Sequence, residues 1–155
     1  MQWFFAAISE ADIDSILTIE KLSFQRPWGR ISFLNELALE SAVNLAVKRK
    51  DDSGQERIIA YVFFRLVVDE MHILKIAVSP DWRCRGIATV LMNKCLELAE
   101  DKGINAVYLE VRPSNTAAVL LYHKIGFQIV AKRIGYYTET GEDALVMSKK
   151  LREVV

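Results

Sequence analysis

The stretch Ile73-Leu74-Lys75-Ile76-Ala77-Val78-Ser79-Pro80-Asp81-Trp82-Arg83-Cys84-Arg85-Gly86-Ile87-Ala88 decides how the rest of the chain is read. An apolar strand ends at a proline, and a turn rich in arginine and glycine then opens an amphipathic helix. The first backbone N–H groups of a helix are unpaired and carry partial positive charge, so this turn is suited to hold a phosphate. Gly86 lets the backbone come close, Ala88 keeps the next approach small, and Arg83 and Arg85 add full positive charge. A Walker loop needs a second glycine followed by Lys-Ser/Thr, and no such run exists. The dinucleotide fingerprint needs three glycines in about six positions, and only Gly86 stands here.

At 155 residues the chain has the length of one domain, expected to span 1–155, with room for a proper core. Lys plus Arg balance Asp plus Glu at 20 each, so no overall field gathers nucleic acid or anionic lipid, and neither partner is expected. Cys84 and Cys95 suit reduced thiols of the cytoplasm better than a disulfide framework, with Cys95 as small apolar filler. No run approaches the roughly 18 apolar residues of a membrane span. Met1-Gln2-Trp3-Phe4-Phe5 lacks the basic segment of a secretion signal, so a soluble cytoplasmic protein is expected. The polar run 50–56 reads as a hairpin tip rather than a linker.

Taken in order, 3–8 reads as an edge strand. Ser9-x-x-Asp12 then caps a helix that carries Ile13, Ile16, Leu17 and Glu20 at helical spacing and ends near Ser23. Pro27 breaks the pattern, and a second helix is predicted over 32–41. Three strands, 43–49, 58–67 and 71–78, follow on short connections that force antiparallel neighbours. A helix over 86–102 with Ile87, Leu91, Cys95 and Leu98 inward leads to a strand over 105–111, able to lie parallel to the strand ending at Val78. Asn115 caps a helix over 116–125 closed by Gly126, and strands over 127–134 and 143–149 finish an α/β domain with a mixed sheet.

Glu110 is the carboxylate that stands out, inside the apolar strand Val107-Tyr108-Leu109-Glu110-Val111. Two readings stay open. Either it is an acid buried in the sheet with a raised pKa, or it sits at the solvated strand end or pairs with Arg112. A lone helix tyrosine such as Tyr122 ordinarily satisfies its hydroxyl structurally. His72 and His123 read as surface residues, no His/Cys/Asp group has metal-ligand spacing, and no Gly-x-Ser-x-Gly turn occurs.

Arg83-x-x-Gly86-x-Ala88, preceded by Leu74-x-Ile76-Ala77-Val78-x-Pro80, resembles the acyl-coenzyme A diphosphate loop of the GNAT N-acetyltransferases. Leu109-Glu110-Val111-Arg112-x-Ser114-Asn115, then Ala118-x-x-Leu121-Tyr122-x-x-x-Gly126-Phe127, is similar to the RimI branch of that family. So are the segment Phe24 to Trp28 and Arg133-x-x-Tyr136-Tyr137 leading to Glu142-Asp143-Ala144. The resemblance implies the GNAT fold: a mostly antiparallel seven-stranded sheet, about four helices and one splayed parallel strand pair.

It further implies acetyl-CoA as co-substrate and no metal. Ile76, Ala77 and Val78 would line the pantetheine, with the Val78 amide facing the thioester carbonyl. Arg83, Cys84, Arg85, Gly86, Ile87, Ala88 and Thr89 would surround the diphosphate, and Asn115 would contact the pantetheine arm. By the same resemblance Glu110 is the general base, Tyr122 protonates the departing thiolate, and Trp28, Tyr136 and Tyr137 wall the acceptor peptide. As neighbours on a strand, Tyr136 and Tyr137 are expected to face opposite ways, so that at most one touches the peptide.

The branch implies direct transfer, in a ternary complex, to the N-terminal alanine of a small-subunit ribosomal protein of the S-eighteen type. Transfer to lysine, a polyamine or another small amine is the alternative within the family. A non-catalytic acyl-coenzyme A binding module is the alternative outside it.

Overall fold

The computed structural model describes residues 2–40 and 42–152. Its elements run β1 (Trp3–Ala7), a short 3-10 turn, α1 (Ile13–Ser23), α2 (Arg30–Leu37), β2 (Ala42–Lys50), β3 (Glu56–Val67) and β4 (Glu70–Val78). A second 3-10 turn (Pro80–Trp82), α3 (Ile87–Asp101), β5 (Ala106–Val111), α4 (Thr116–Ile125), β6 (Gln128–Tyr137) and β7 (Glu142–Lys150) complete it. The strand order is β1-β2-β3-β4-β5-β7-β6, a mixed sheet in which β4 and β5 are the parallel pair. The α/β mixed sheet is as read from the sequence pattern, and its seven strands and four helices are those the resemblance implies. The second helix begins and ends earlier than predicted, and Ser41, its predicted end, lies outside the described residues, as do both ends of the expected domain.

Two compact units divide the chain. The first comprises the chain up to Arg65 together with Lys75–Met92, and the second Leu66–Leu74 with the chain from Asn93 onward.

In the first unit β1 and β2, then β2 and β3, pair antiparallel. Ile58 to Phe64 of β3 are all buried, the mark of a strand covered on both faces. Helix α1 presents Ile13, Ile16 and Ile19 to this core, while Leu17, expected inward, is half-buried. Phe33 of α2 packs its ring 5.0 Å from Phe63 and edge-on to Tyr61, and Trp28 closes the cluster 5.2 Å from Phe33. Such aromatic pairs add about 0.5–1.5 kcal/mol each beyond the area they bury.

In the second unit β4 and β5 run parallel with Glu70, Met71 and His72 opposite Ala106, Val107 and Tyr108. Among the described residues of this unit the register ends there, although β5 continues to Val111. A helical crossover is what makes a parallel neighbour possible. β7 then pairs antiparallel with β5 on one side and β6 on the other. β6 is the exposed edge, and two register shifts interrupt its pairing, a common way of blunting a free strand edge. Asn115 Oδ1 accepts from the Ala118 amide at the start of α4, and Gly126 at φ +109 ends it, both as read from the sequence.

Along α3, Ile87, Leu91 and Cys95 are buried as expected, joined by Met92, Leu96 and Ala99, whereas Leu98 is only half-buried. Among the described residues no helix is long and apolar enough to cross a membrane.

Candidate active site

The first unit carries the turn expected to hold an anion. Cys84 at φ +60 and Gly86 at φ +78 both adopt the left-handed region, and only at Gly86 is that conformation free of a side-chain penalty. The Val90 amide donates to Gly86 O at 3.1 Å, which starts α3 and leaves the amides of Ile87, Ala88 and Thr89 without an intrahelical acceptor. A Cβ at Gly86 would meet nothing within 4 Å, so the turn is open at that residue. The turn therefore fits a diphosphate by three donors, a helix terminus and room for close approach.

The two arginines divide their work. Arg83 Nε donates to Val78 O at 3.0 Å and its Nη2 to Ser23 Oγ at 3.0 Å, bracing the end of β4 against the end of α1. Arg85, exposed like Arg83, places its guanidinium 4.7 Å from the Trp82 ring.

Trp28 is positioned by a residue the sequence reading did not single out. The Glu20 carboxylate, with 0% exposure, accepts from the Trp28 amide at 2.8 Å and the Tyr61 hydroxyl at 2.6 Å, and pairs with Lys75 Nζ at 2.9 Å. Lys75 Nζ in turn stands 3.8 Å from the Phe24 ring centre. Burial, followed by the hydrogen bond to Glu20, drives the Tyr61 phenol far above its ordinary range, so it serves as a permanent donor. The signal was present in the letters: Glu20 occupies a core-facing position on α1.

The second unit gathers Glu110, Tyr122, Tyr136 and Tyr137. Glu110 is exposed, which removes the buried-acid reading. Its ion partner is Arg133 of β6 at 2.7 Å rather than the adjacent Arg112, because β6 and β5 flank β7 and their side chains reach over it. Tyr122 is buried, at 7% exposure, with its ring 6.0 Å from Phe127. Burial, and then the nearby Tyr137, push its phenol up to about 12.

Tyr136 and Tyr137 do not face opposite ways. Their rings meet edge-on at 5.1 Å, because the β6–β7 register shifts between Arg133 and Tyr137, with Gly135 at φ +61 inside the shift. Arg133 covers Tyr136 at 4.2 Å and Arg112 covers Tyr137 at 3.9 Å.

The histidines lie elsewhere. His123 is exposed, and His72 is half-buried, 3.0 Å from Glu70 and stacked on Tyr108. Burial pushes the Cys95 thiol up to about 12, which suits filler rather than a nucleophile. Among the described residues no group of His, Cys, Asp and Glu is placed to hold a metal.

A Bacillus subtilis (strain 168) protein, whose name gives it as a proposed ribosomal protein bS18-alanine N-acetyltransferase, is 36% identical over 92% of this chain and 91% of its own. The ribosomal protein bS18-alanine N-acetyltransferase of Salmonella typhimurium is 33% identical over 91% of this chain and 93% of its own. The crystal structure of the Escherichia coli ribosomal-protein-S18-alanine N-acetyltransferase superposes with a TM-score of 0.88 at 26% identity, covering 99% of this chain and 97% of that one. A model of the acetyltransferase (GNAT) family matches residues 13–127, and this chain belongs to that family of acetyl-CoA-dependent acyltransferases.

Proposed function

We propose that this chain works as a single domain over 1–155 and transfers the acetyl group of acetyl-CoA to the N-terminal alanine of ribosomal protein bS18, in the cytoplasm. Two relatives along more than nine-tenths of the chain carry that activity in their names. The observation that carries the chemistry is the gathering of Glu110, Tyr122 and Tyr137 in one unit, with Tyr137 within electrostatic reach of both the carboxylate and the buried phenol.

In this reading the diphosphate rests on the amides of Ile87, Ala88 and Thr89 beside Cys84, Gly86 and Arg85, with Arg83 bracing the turn. The pantetheine lies along Ile76, Ala77 and Val78 and meets Asn115. The acceptor α-amine, with an ordinary pKa of about 7.7–8.0, needs little help to lose its proton and passes it to Glu110 directly or through water. The amine attacks the thioester carbon, the Val78 amide donates to the oxyanion, and the C–S bond breaks. A main-chain donor of that kind is worth roughly 3–4 kcal/mol of barrier.

Burial, and then Tyr137, hold the Tyr122 phenol above its ordinary range, so its hydroxyl is protonated when the thiolate departs. Tyr122 donates its proton to the departing sulfur, and a proton lost by the attacking nitrogen returns to the phenol. Trp28, Tyr136 and Tyr137 wall the acceptor. No contact with nucleic acid or a membrane is part of the reaction.

An acceptor panel tests this. Release of coenzyme A with a peptide beginning in alanine, and none with the same peptide blocked at its N-terminus, is the expected result. Equal use of a blocked peptide bearing a free lysine overturns it in favour of side-chain acetylation.

A further inference from the structure

Arg112 lies just past the end of β5, and among the described residues the partners of its side chain belong to one structural feature. The guanidinium centre stands 3.9 Å from the Tyr137 ring. Nη1 donates to Thr140 Oγ1 at 3.1 Å and lies 3.8 Å from Glu142, while Nη2 pairs with Glu139. Residues 137–142 are the root and turn of the β6–β7 hairpin, closed by the Gly141 amide donating to Tyr137 O at 2.8 Å. Glu142 answers in the reverse direction, accepting from the Ser114 amide at 3.2 Å and the Ser114 hydroxyl at 2.9 Å. The turn is thus fastened to segment 112–115 at two points.

A clasp needed only to hold a turn would require the ion pairs and nothing else. Here the flat face of the guanidinium is spent on an aromatic ring while its edges serve Thr140 and two carboxylates, a division of labour that an ammonium cannot reproduce. The ring so held is half-buried, and Glu110, Tyr136 and Glu142 are its electrostatic neighbours. Tyr136, by contrast, is 44% exposed under Arg133. Of the two tyrosines, Tyr137 is the less exposed and the one held by Arg112.

We propose that Arg112 is a positioning residue for acetyl transfer, holding the Tyr137 ring as a rigid wall for the acceptor peptide. The proposal rests on the acceptor reading given above. Its consequence is that Arg112 acts on peptide recognition only through Tyr137.

A double-mutant cycle reads this directly. Arg112→Lys keeps the charge and loses the planar fork, and it should raise KM for the alanine peptide about tenfold, the scale of one charge-assisted contact, with KM for acetyl-CoA within about twofold. In a Tyr137→Ala background the same change should shift peptide KM by no more than about twofold, since the ring it positions is gone. If Arg112→Lys lowers the melting temperature too far to assay, Glu139→Gln removes one arm of the clasp and should show a smaller rise with the same non-additivity. Additive effects in a chain that acetylates the peptide overturn this proposal alone. No transfer to the peptide by the unaltered chain overturns the acceptor reading and this proposal with it.

Discussion

Arg133 Nη1 stands 2.7 Å from Glu110 Oε1, so the proposed base rests as half of a solvent-facing ion pair. The hydrogen bond and charge of Glu110 raise the pKa of Arg133. Replacing Glu110 by an isosteric amide should remove proton transfer while keeping an acceptor for Arg133. Glu110→Gln is expected to lower kcat by about 10²–10⁴, the ordinary worth of a positioned base, with the acetyl-CoA dissociation constant unchanged within about twofold. Steady-state kinetics with calorimetric cofactor titration checks this, and a full rate across the neutral and alkaline range would move the base elsewhere.

Tyr122 answers to a different measurement. Because its phenol lies near 12, the hydroxyl stays protonated through the working range and no alkaline limb below about pH 10 belongs to it. Tyr122→Phe should lower kcat by roughly 10²-fold through loss of a donor to the departing sulfur, while leaving the shape of the pH profile intact. A profile whose alkaline limb vanishes in the variant would mean that Tyr122 titrates during turnover.

Much of this arrangement was legible in the letters. Gly86, Asn115 and Gly126 announce helix ends because capping is a local property of a few consecutive residues, and the structure places all three at those ends. The partner of Glu110 was not legible. Arg133 is 23 residues away, and only the β5–β7–β6 order brings it over the carboxylate, whereas sequence proximity favoured Arg112. The meeting of Tyr136 and Tyr137 was hidden for a related reason. Strict alternation assumes an unbroken ladder, and the register shift beside Gly135 breaks it.

Glu20 was visible as a polar residue on an apolar helix face, but its three partners come from three different segments. Removing the carboxylate strands Lys75 Nζ, whose side chain is only 12% exposed, along with the Tyr61 hydroxyl and the Trp28 amide. Glu20→Ala is expected to cost about 3–5 kcal/mol, the range for breaking a buried pair by deleting one partner. The double change Glu20→Gln with Lys75→Met should recover much of that loss, since it leaves no orphaned charge. Urea unfolding of the three chains distinguishes this from an ordinary core truncation, in which the second change would only add damage.

Gly86 separates cofactor binding from folding. At φ +78 an alanine there costs about 1–2 kcal/mol of backbone strain, yet its Cβ would meet nothing within 4 Å. A longer side chain unbranched at Cβ adds bulk at Gly86 at a similar backbone cost. Gly86→Ala and Gly86→Leu should thus have similar melting temperatures, while acetyl-CoA affinity falls much further in the leucine variant. Equal affinities in the two would show that the diphosphate does not use that space.

Acid should loosen the β6–β7 turn. The Ser114 hydroxyl, chief among several donors, holds the Glu142 carboxyl below its ordinary value of 4.5. A folded-state pKa below the unfolded one means that the unfolded chain binds more protons between the two. The stabilisation is therefore complete above about pH 4.5 and is lost as pH falls through the depressed value. Asp51, in the β2–β3 hairpin tip, is lowered from 3.8 to about 2 by the Ser53 hydroxyl and then Arg57, so its contribution begins to fail only at lower pH. Glu142→Gln should flatten the upper part of the acid slope in urea midpoints and leave the lower part, which belongs to Asp51. If the variant and the unaltered chain lost stability in parallel from pH 5 downward, with midpoints differing by a constant, the Ser114–Glu142 hydrogen bonds would not form in solution.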